Sequence, residues 1–120
     1  MHDLDMDPVP QGELALKITT LPRDCNSFGD IYGGWLVAQM DVAGTSTAAR
    51  IARGRVATVA IDRMGFMVPV PVGAQLAFHC DVLDIGRSSI KMLVESRKVT
   101  EATFVFVAID DRGRTRVIPS

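Results

Sequence analysis

Between Gly54 and the C-terminus the chain offers only strands, so the one long helix before them, from about Gly34 to Ala52, has nothing but a sheet to pack on. Val56 to Val68 is rich in β-branched residues and ends at Pro69 and Pro71, with Gly73 marking a turn. Leu76, Phe78, Cys80 and Val82 then alternate with Gln75, His79 and Asp81, the pattern of a half-buried antiparallel strand. Asp84 to Arg87, with Gly86, makes a hairpin turn, after which Ile90, Met92 and Val94 alternate with Lys91 and Glu95. Thr100 to Ile109 is apolar on both faces, as an interior strand is. Ahead of the helix, Glu13 to Leu21 supplies one more strand, with Leu14, Leu16 and Ile18 set against Ala15, Lys17 and Thr19, and Pro22 closes it. This order predicts an α+β fold in which an antiparallel sheet wraps one long helix. A single domain is expected over residues 13–120, behind a flexible arm over residues 1–12 that carries three Asp, two Pro and a Gly.

The helix itself is small-sided. Leu36, Met40, Ala43, Thr47 and Ile51 form one stripe, and alanines fill much of the rest. Arg50 and Arg53 place cations in the last turn, and Gly54 is the expected stop. A single sheet covers only one face of such a helix. The other face needs a second copy of the chain, so a dimer is expected.

In the middle of this helix stands Asp41. Its helical neighbours Val37, Ala38, Gly44 and Thr45 include no cation to pair with it. Aspartate is also a poor helix-interior residue, because its short side chain competes for nearby backbone groups, and dehydrating an unpaired carboxylate is costly. Such a residue points to chemistry. Upstream, Gly33 and Gly34 leave room for a ligand at the first turn, where unpaired N–H groups and the positive end of the helix dipole attract a negatively charged oxygen. Gly33 and Asp41 are separated by a little over two turns, about 12 Å along the axis. One helix cannot bring both groups to one reacting carbon, so a shared site in a symmetric dimer is predicted.

Several function classes are disfavoured by the same residues. A net charge of −1 gives no electrostatic reason to bind nucleic acid or an anionic membrane. No apolar run approaches the roughly 20 residues of a membrane span, and the acidic N-terminus lacks the order of a secretory signal, so a cytoplasmic location is expected. Cys25 and Cys80 are too few for a disulfide framework and too isolated for structural zinc; Cys80 reads as a core residue. The segment from Asp24 through Asn26 to Gly29 starts like a calcium loop, but Phe28 stands at the fifth position and Trp35 at the twelfth. No Gly-Lys-Ser/Thr follows the glycines, which excludes a phosphate-binding P-loop. No metal site is expected.

The run Asn26-Ser27-Phe28-Gly29-Asp30-Ile31-Tyr32-Gly33-Gly34-Trp35, followed by Gln39-Met40-Asp41, resembles the YciA-type acyl-CoA thioesterases, a cytoplasmic bacterial family related to animal cytosolic acyl-CoA hydrolases. Further matches are Gly54 to Ala60, Gly86 to Ile90, Thr100 to Phe104 and Arg114 to Pro119, so the likeness runs through nearly all of the chain from Glu13. It implies the hotdog fold and hydrolysis of an acyl-CoA to a free acid and coenzyme A, with no metal or organic cofactor and coenzyme A met only as product or bound ligand. By the same resemblance Asp41 is the catalytic carboxylate, and Gly33 and Gly34 lie where the thioester carbonyl binds. Asn26 and Asp30 fall in the substrate-binding loop. Arg87, Ser88 and Ser89 match a hairpin near the coenzyme A phosphates of a neighbouring subunit, and Arg114 and Arg116 match tail positions that assist. The implied assembly is a dimer that builds a trimer of dimers. Asp41 is then either a general base for water or a nucleophile that forms an anhydride.

Two other functions compete. A hotdog hydratase or dehydratase needs a histidine beside the carboxylate, and His79 is the one internal histidine. An acyl-CoA-binding protein without turnover would keep the pocket and not need Asp41. The chain departs from the family between Val94 and Val99, where relatives carry several more residues and where this sequence has no Gly, Asn or Pro to make a turn, so either the hairpin is unusually tight or a mobile loop is missing from this sequence.

Overall fold

The computed structural model describes residues 12–119, so the arm expected over residues 1–12 lies, apart from Gly12, outside the described residues. In chain order the elements are β1 (Glu13–Thr19), α1 (Gly33–Ala52), β2 (Val56–Phe66), β3 (Gln75–Ile85), β4 (Ser89–Ser96) and β5 (Thr100–Ala108). The strands form one sheet in the order β1-β3-β4-β5-β2, every neighbouring pair antiparallel. The alternation read from the sequence decides which face packs. Leu76, Phe78 and Cys80 of β3, Ile90, Met92 and Val94 of β4, and Ala102, Phe104, Phe106 and Ala108 of β5 all turn inward. Against them α1 lays Leu36, Met40, Ala43, Ala48 and Ala52, and each large side chain buried there contributes about 1.5–3 kcal/mol.

The small residues of α1 let helix and sheet approach closely. A Cβ placed on Gly44 would stand 2.6 Å from the ring of Phe106, which is fully buried and stacks on Phe104 with centroids 5.8 Å apart. Gly44 is therefore set by the sheet beneath it, despite the helix-propensity cost of a mid-helix glycine. Burial also raises the Cys80 thiol above its ordinary pKa, only partly offset by a hydrogen bond with Thr47, which confirms it as an inert core residue.

Three details depart from the sequence expectation, each for a local reason, and a fourth takes one of the two forms expected of it. A bulge between Leu14 and Leu16 adds one residue to β1, so Ala15, Leu16 and Ile18 pack on the core and Leu14 stays exposed. β2 ends at Phe66, not Val68, after two further irregularities, the second at Arg63 in a left-handed conformation (φ 54°). The left-handed residue that ends the helix is Arg53, not Gly54, whose N–H returns to the Ala49 carbonyl (3.1 Å) and completes the stop. Finally, the β4–β5 connection is a tight turn: Ser96 pairs with Thr100, the Val99 N–H donates to the Ser96 carbonyl (2.9 Å), and Lys98 takes the left-handed position (φ 63°) usually given to glycine.

Among the described residues, one face of α1 and the β2 edge of the sheet are left uncovered. Val42 is 55% exposed on the helix, and Val59 and Ile61 are 57% and 42% exposed on the edge strand β2. An apolar edge strand is a template for pairing with another chain.

Gly44→Ala should lower stability by about 1–3 kcal/mol, because the added methyl must displace a buried ring. Thermal unfolding checks this; an unchanged or raised melting temperature would show that the helix can lift off the sheet at no cost.

Candidate active site

Asp41 lies on the half-buried flank of α1 that faces β2. The Thr58 hydroxyl of β2 donates to one carboxylate oxygen of Asp41 at 2.5 Å, and among the described residues Asp41 makes no ion pair. A hydrogen bond to a charged acceptor is among the stronger ones, about 1.5–3 kcal/mol. It fixes the carboxylate's direction and leaves the second oxygen open. Thr58 was not singled out from the sequence: it comes from the far side of the helix–sheet interface, and a lone threonine in a β-branched strand carries no sign of such a role.

The helix start holds the second group. Tyr32 caps α1 through its backbone, its carbonyl taking the N–H groups of Trp35 (3.1 Å) and Leu36 (3.3 Å). The N–H groups of Gly33 and Gly34 make no hydrogen bond among the described residues. The two glycines differ in their surroundings. The Phe66 ring lies in contact distance of the side-chain position of Gly33, 3.4 Å from where a Cβ would be, whereas Gly34 faces open space. Beside them is an apolar cleft of about 360 Å³ between Ile31, Gly33 and Leu36 and the segment Phe66 to Val70.

The loop before the helix is built by its own polar groups. The Asn26 side-chain oxygen accepts the N–H groups of Phe28 (2.9 Å) and Asp30 (3.1 Å), and the Asn26 N–H donates to the Asp30 carbonyl (2.7 Å). Gly29 adopts φ 85° at the tip. Asn26 thus spends its carbonyl oxygen on the loop, leaving its amide nitrogen for a ligand, while the Asp30 backbone bridges to Pro71.

The remaining site candidates collect at the opposite end of the sheet. The Arg87 carbonyl accepts the Ile118 N–H (2.9 Å), and the Ser88 carbonyl accepts the Ala108 N–H (2.8 Å), so the tail runs beside the hairpin that carries Arg87, Ser88 and Ser89. Arg116 is a clamp, its Nε donating to the Ile109 carbonyl at 2.9 Å. Arg114 stands 3.7 Å from Asp110 in a largely exposed ion pair of little energetic weight. A helix of 20 residues, about 30 Å long, separates this cluster from Gly33 and Gly34, with Asp41 between. One chain brings together the members of each group but not the groups themselves.

His79 does not join Asp41. It faces away from its buried neighbours Phe78 and Cys80, pairs across the ladder with Glu95, and lies on β3, with β4 and β5 between it and Thr58 on β2. Its Nδ1 is buried without a partner among the described residues. No group of three metal-ligating side chains occurs among the described residues, and no described helix is long and apolar enough to cross a membrane.

Comparison with known proteins supplies the context. Residues 28–104 match the thioesterase superfamily. The acyl-CoA thioester hydrolase YciA of Salmonella typhimurium is 40% identical, over 95% of this chain and 96% of its own. That alignment runs over 127 positions, more than the 120 residues of this chain, so the relative carries residues without a counterpart here. A hexameric thioesterase from Yersinia pestis superposes with a TM-score of 0.89 at 41% identity, over 94% of this chain and all of the other. An acyl-CoA hydrolase from Staphylococcus aureus, solved with an aspartate and, separately, a threonine changed to alanine, superposes at 0.78 and 25% identity, over 87% of this chain and 70% of the other. Those two positions lie 17 apart in its numbering, the interval between Asp41 and Thr58. With its five-stranded antiparallel sheet on one helix, the chain has the hotdog fold and belongs to the thioesterase superfamily, in the branch that holds the YciA acyl-CoA thioester hydrolases.

Proposed function

We propose that this enzyme hydrolyses acyl-CoA thioesters with Asp41 as the reacting carboxylate, at sites shared between two copies of the chain. The observation that carries the reading is the Asp41 carboxylate, held by one oxygen to Thr58 and set beside an unpaired sheet edge. Its free oxygen takes a proton from water as that water attacks the thioester carbonyl carbon. The oxyanion formed is held by the unpaired N–H groups at Gly33 and Gly34 of the other copy, donors that need no reorganisation during the reaction. The carbon–sulfur bond then breaks, and the coenzyme A sulfur leaves as the carbonyl re-forms; the departing thiolate takes up a proton. The steps use only water and groups of the protein. Asn26 and Asp30 border the carbonyl site, and Arg87, Ser88, Ser89, Arg114 and Arg116 form the cationic end for coenzyme A phosphates reaching over from a neighbour.

Support for two copies comes from the exposed β2 edge, the bare Val42 face and the hexameric assembly of the Yersinia relative. We read the assembly here as a two-fold dimer that builds a trimer of dimers. The hydratase reading loses its base, since His79 and Asp41 lie on different sides of the sheet.

Asp41→Ala should lower kcat on acyl-CoA by at least about 100-fold with the melting temperature kept, and full activity would remove Asp41 from the chemistry. Thr58→Val should cost about tenfold in kcat while Thr58→Ser retains most of it, since the serine keeps the donor; equal losses in both would point to packing instead. Sedimentation at micromolar concentration should give a hexamer, and a stable monomer would contradict the shared site.

A further inference from the structure

We infer that the ring of Phe66 decides which acyl groups this enzyme accepts; the inference rests on the acyl-CoA reading above. The cleft beside the helix start has a buried floor and a half-exposed wall. Ile31, Leu36 and Val70 make the floor, all nearly fully buried, and the Ile31 N–H donates to the Val70 carbonyl at 2.8 Å. Phe66, Met67 and Val68 make the wall and are each about half exposed in the single chain.

The Phe66 ring reaches over the first turn of α1, at 3.4 Å from the side-chain position of Gly33. A carbonyl bound to the N–H groups at Gly33 and Gly34 therefore has its acyl chain directed past this ring before it meets the floor. The backbone around the ring is fastened on both sides. The Thr100 hydroxyl, fully buried, donates to the Gly65 carbonyl (2.7 Å), and the Met67 N–H donates to the Val99 carbonyl (2.7 Å). Both anchors belong to the tight β4–β5 turn, the place where this chain departs from its relatives' expected length. These bonds hold the backbone that carries the ring beside the helix start. Every side chain lining the cleft is apolar, so the class accepted is unsubstituted aliphatic acyl; a chain ending in a carboxylate would bury a charge with no partner.

The test is kcat/KM for straight-chain acyl-CoAs of short, medium and long chain, and for one dicarboxylic acyl-CoA, with the wild-type enzyme, Phe66→Ala, Phe66→Trp and Asp41→Ala. Phe66→Ala should raise the long-to-short ratio by about tenfold and Phe66→Trp should lower it, the scale at which pocket contacts discriminate hydrocarbon groups. Asp41→Ala should reduce all lengths by one common factor, and the dicarboxylic thioester should be the poorest substrate of the wild type. Ratios that stay put in both Phe66 variants, or that move in the same direction, overturn the assignment while leaving the hydrolase reading intact. A wild type that hydrolyses none of the thioesters overturns both. Should either variant fail to fold by its melting curve, Phe66→Leu carries the comparison, with a ratio between those of wild type and Phe66→Ala.

Discussion

Eight residues of straight helix separate Gly33 from Asp41, and that rigid interval of about 12 Å governs the rest of the site. An oxyanion donor and a base acting on one carbonyl must approach within hydrogen-bond reach of it, so the two groups of one chain cannot serve the same substrate. A two-fold axis removes the difficulty: antiparallel copies of α1 bring the start of each helix near the middle of the other. The uncovered helix face around Val42 and the open β2 edge with Val59 and Ile61 are the surfaces such a pairing would bury. Fold and chemistry ask for the same partner.

Holding a carboxylate in this setting requires a donor that does not neutralise it. A lysine or arginine beside Asp41 would place a counter-charge where the substrate has to approach. A single hydroxyl orients the carboxylate without bringing a counter-charge. Thr58 does this from β2, next to an irregularity in the β2–β5 register between Thr58 and Ala60. Bulges commonly re-aim a side chain beside a functional site.

Much of this was legible in the sequence, because it depended on periodicity and on one misfit. The alternation over Leu76 to Val82 and Ile90 to Val94 gave the inward faces of β3 and β4, and Asp41 stood out as a charge without a helical partner. What stayed hidden depended on contacts between distant residues. Thr58 lies 17 residues from the aspartate it serves, and the bulge that turns Leu14 outward leaves no mark in its neighbours. The glycines were the subtler case. Gly33 and Gly34 were expected to make room for a ligand, and the structure adds the Phe66 ring in ordinary contact beside Gly33, while Gly44, given no role in advance, marks a close approach of helix to sheet. The Lys98 turn had no sequence signal at all, since the left-handed residue there is neither Gly nor Asn.

The most direct test of the shared site is complementation between two inactive variants. Asp41→Ala removes the proposed base, and Gly34→Leu places bulk in the open space at the helix start, where the proposal seats the thioester carbonyl. Co-assembled subunits should recover about a quarter of wild-type activity, since half of randomly paired dimers are mixed and each mixed dimer holds one intact site. Activity that never exceeds the sum of the separate variants, in assemblies shown to be mixed, would mean that each chain completes its own site.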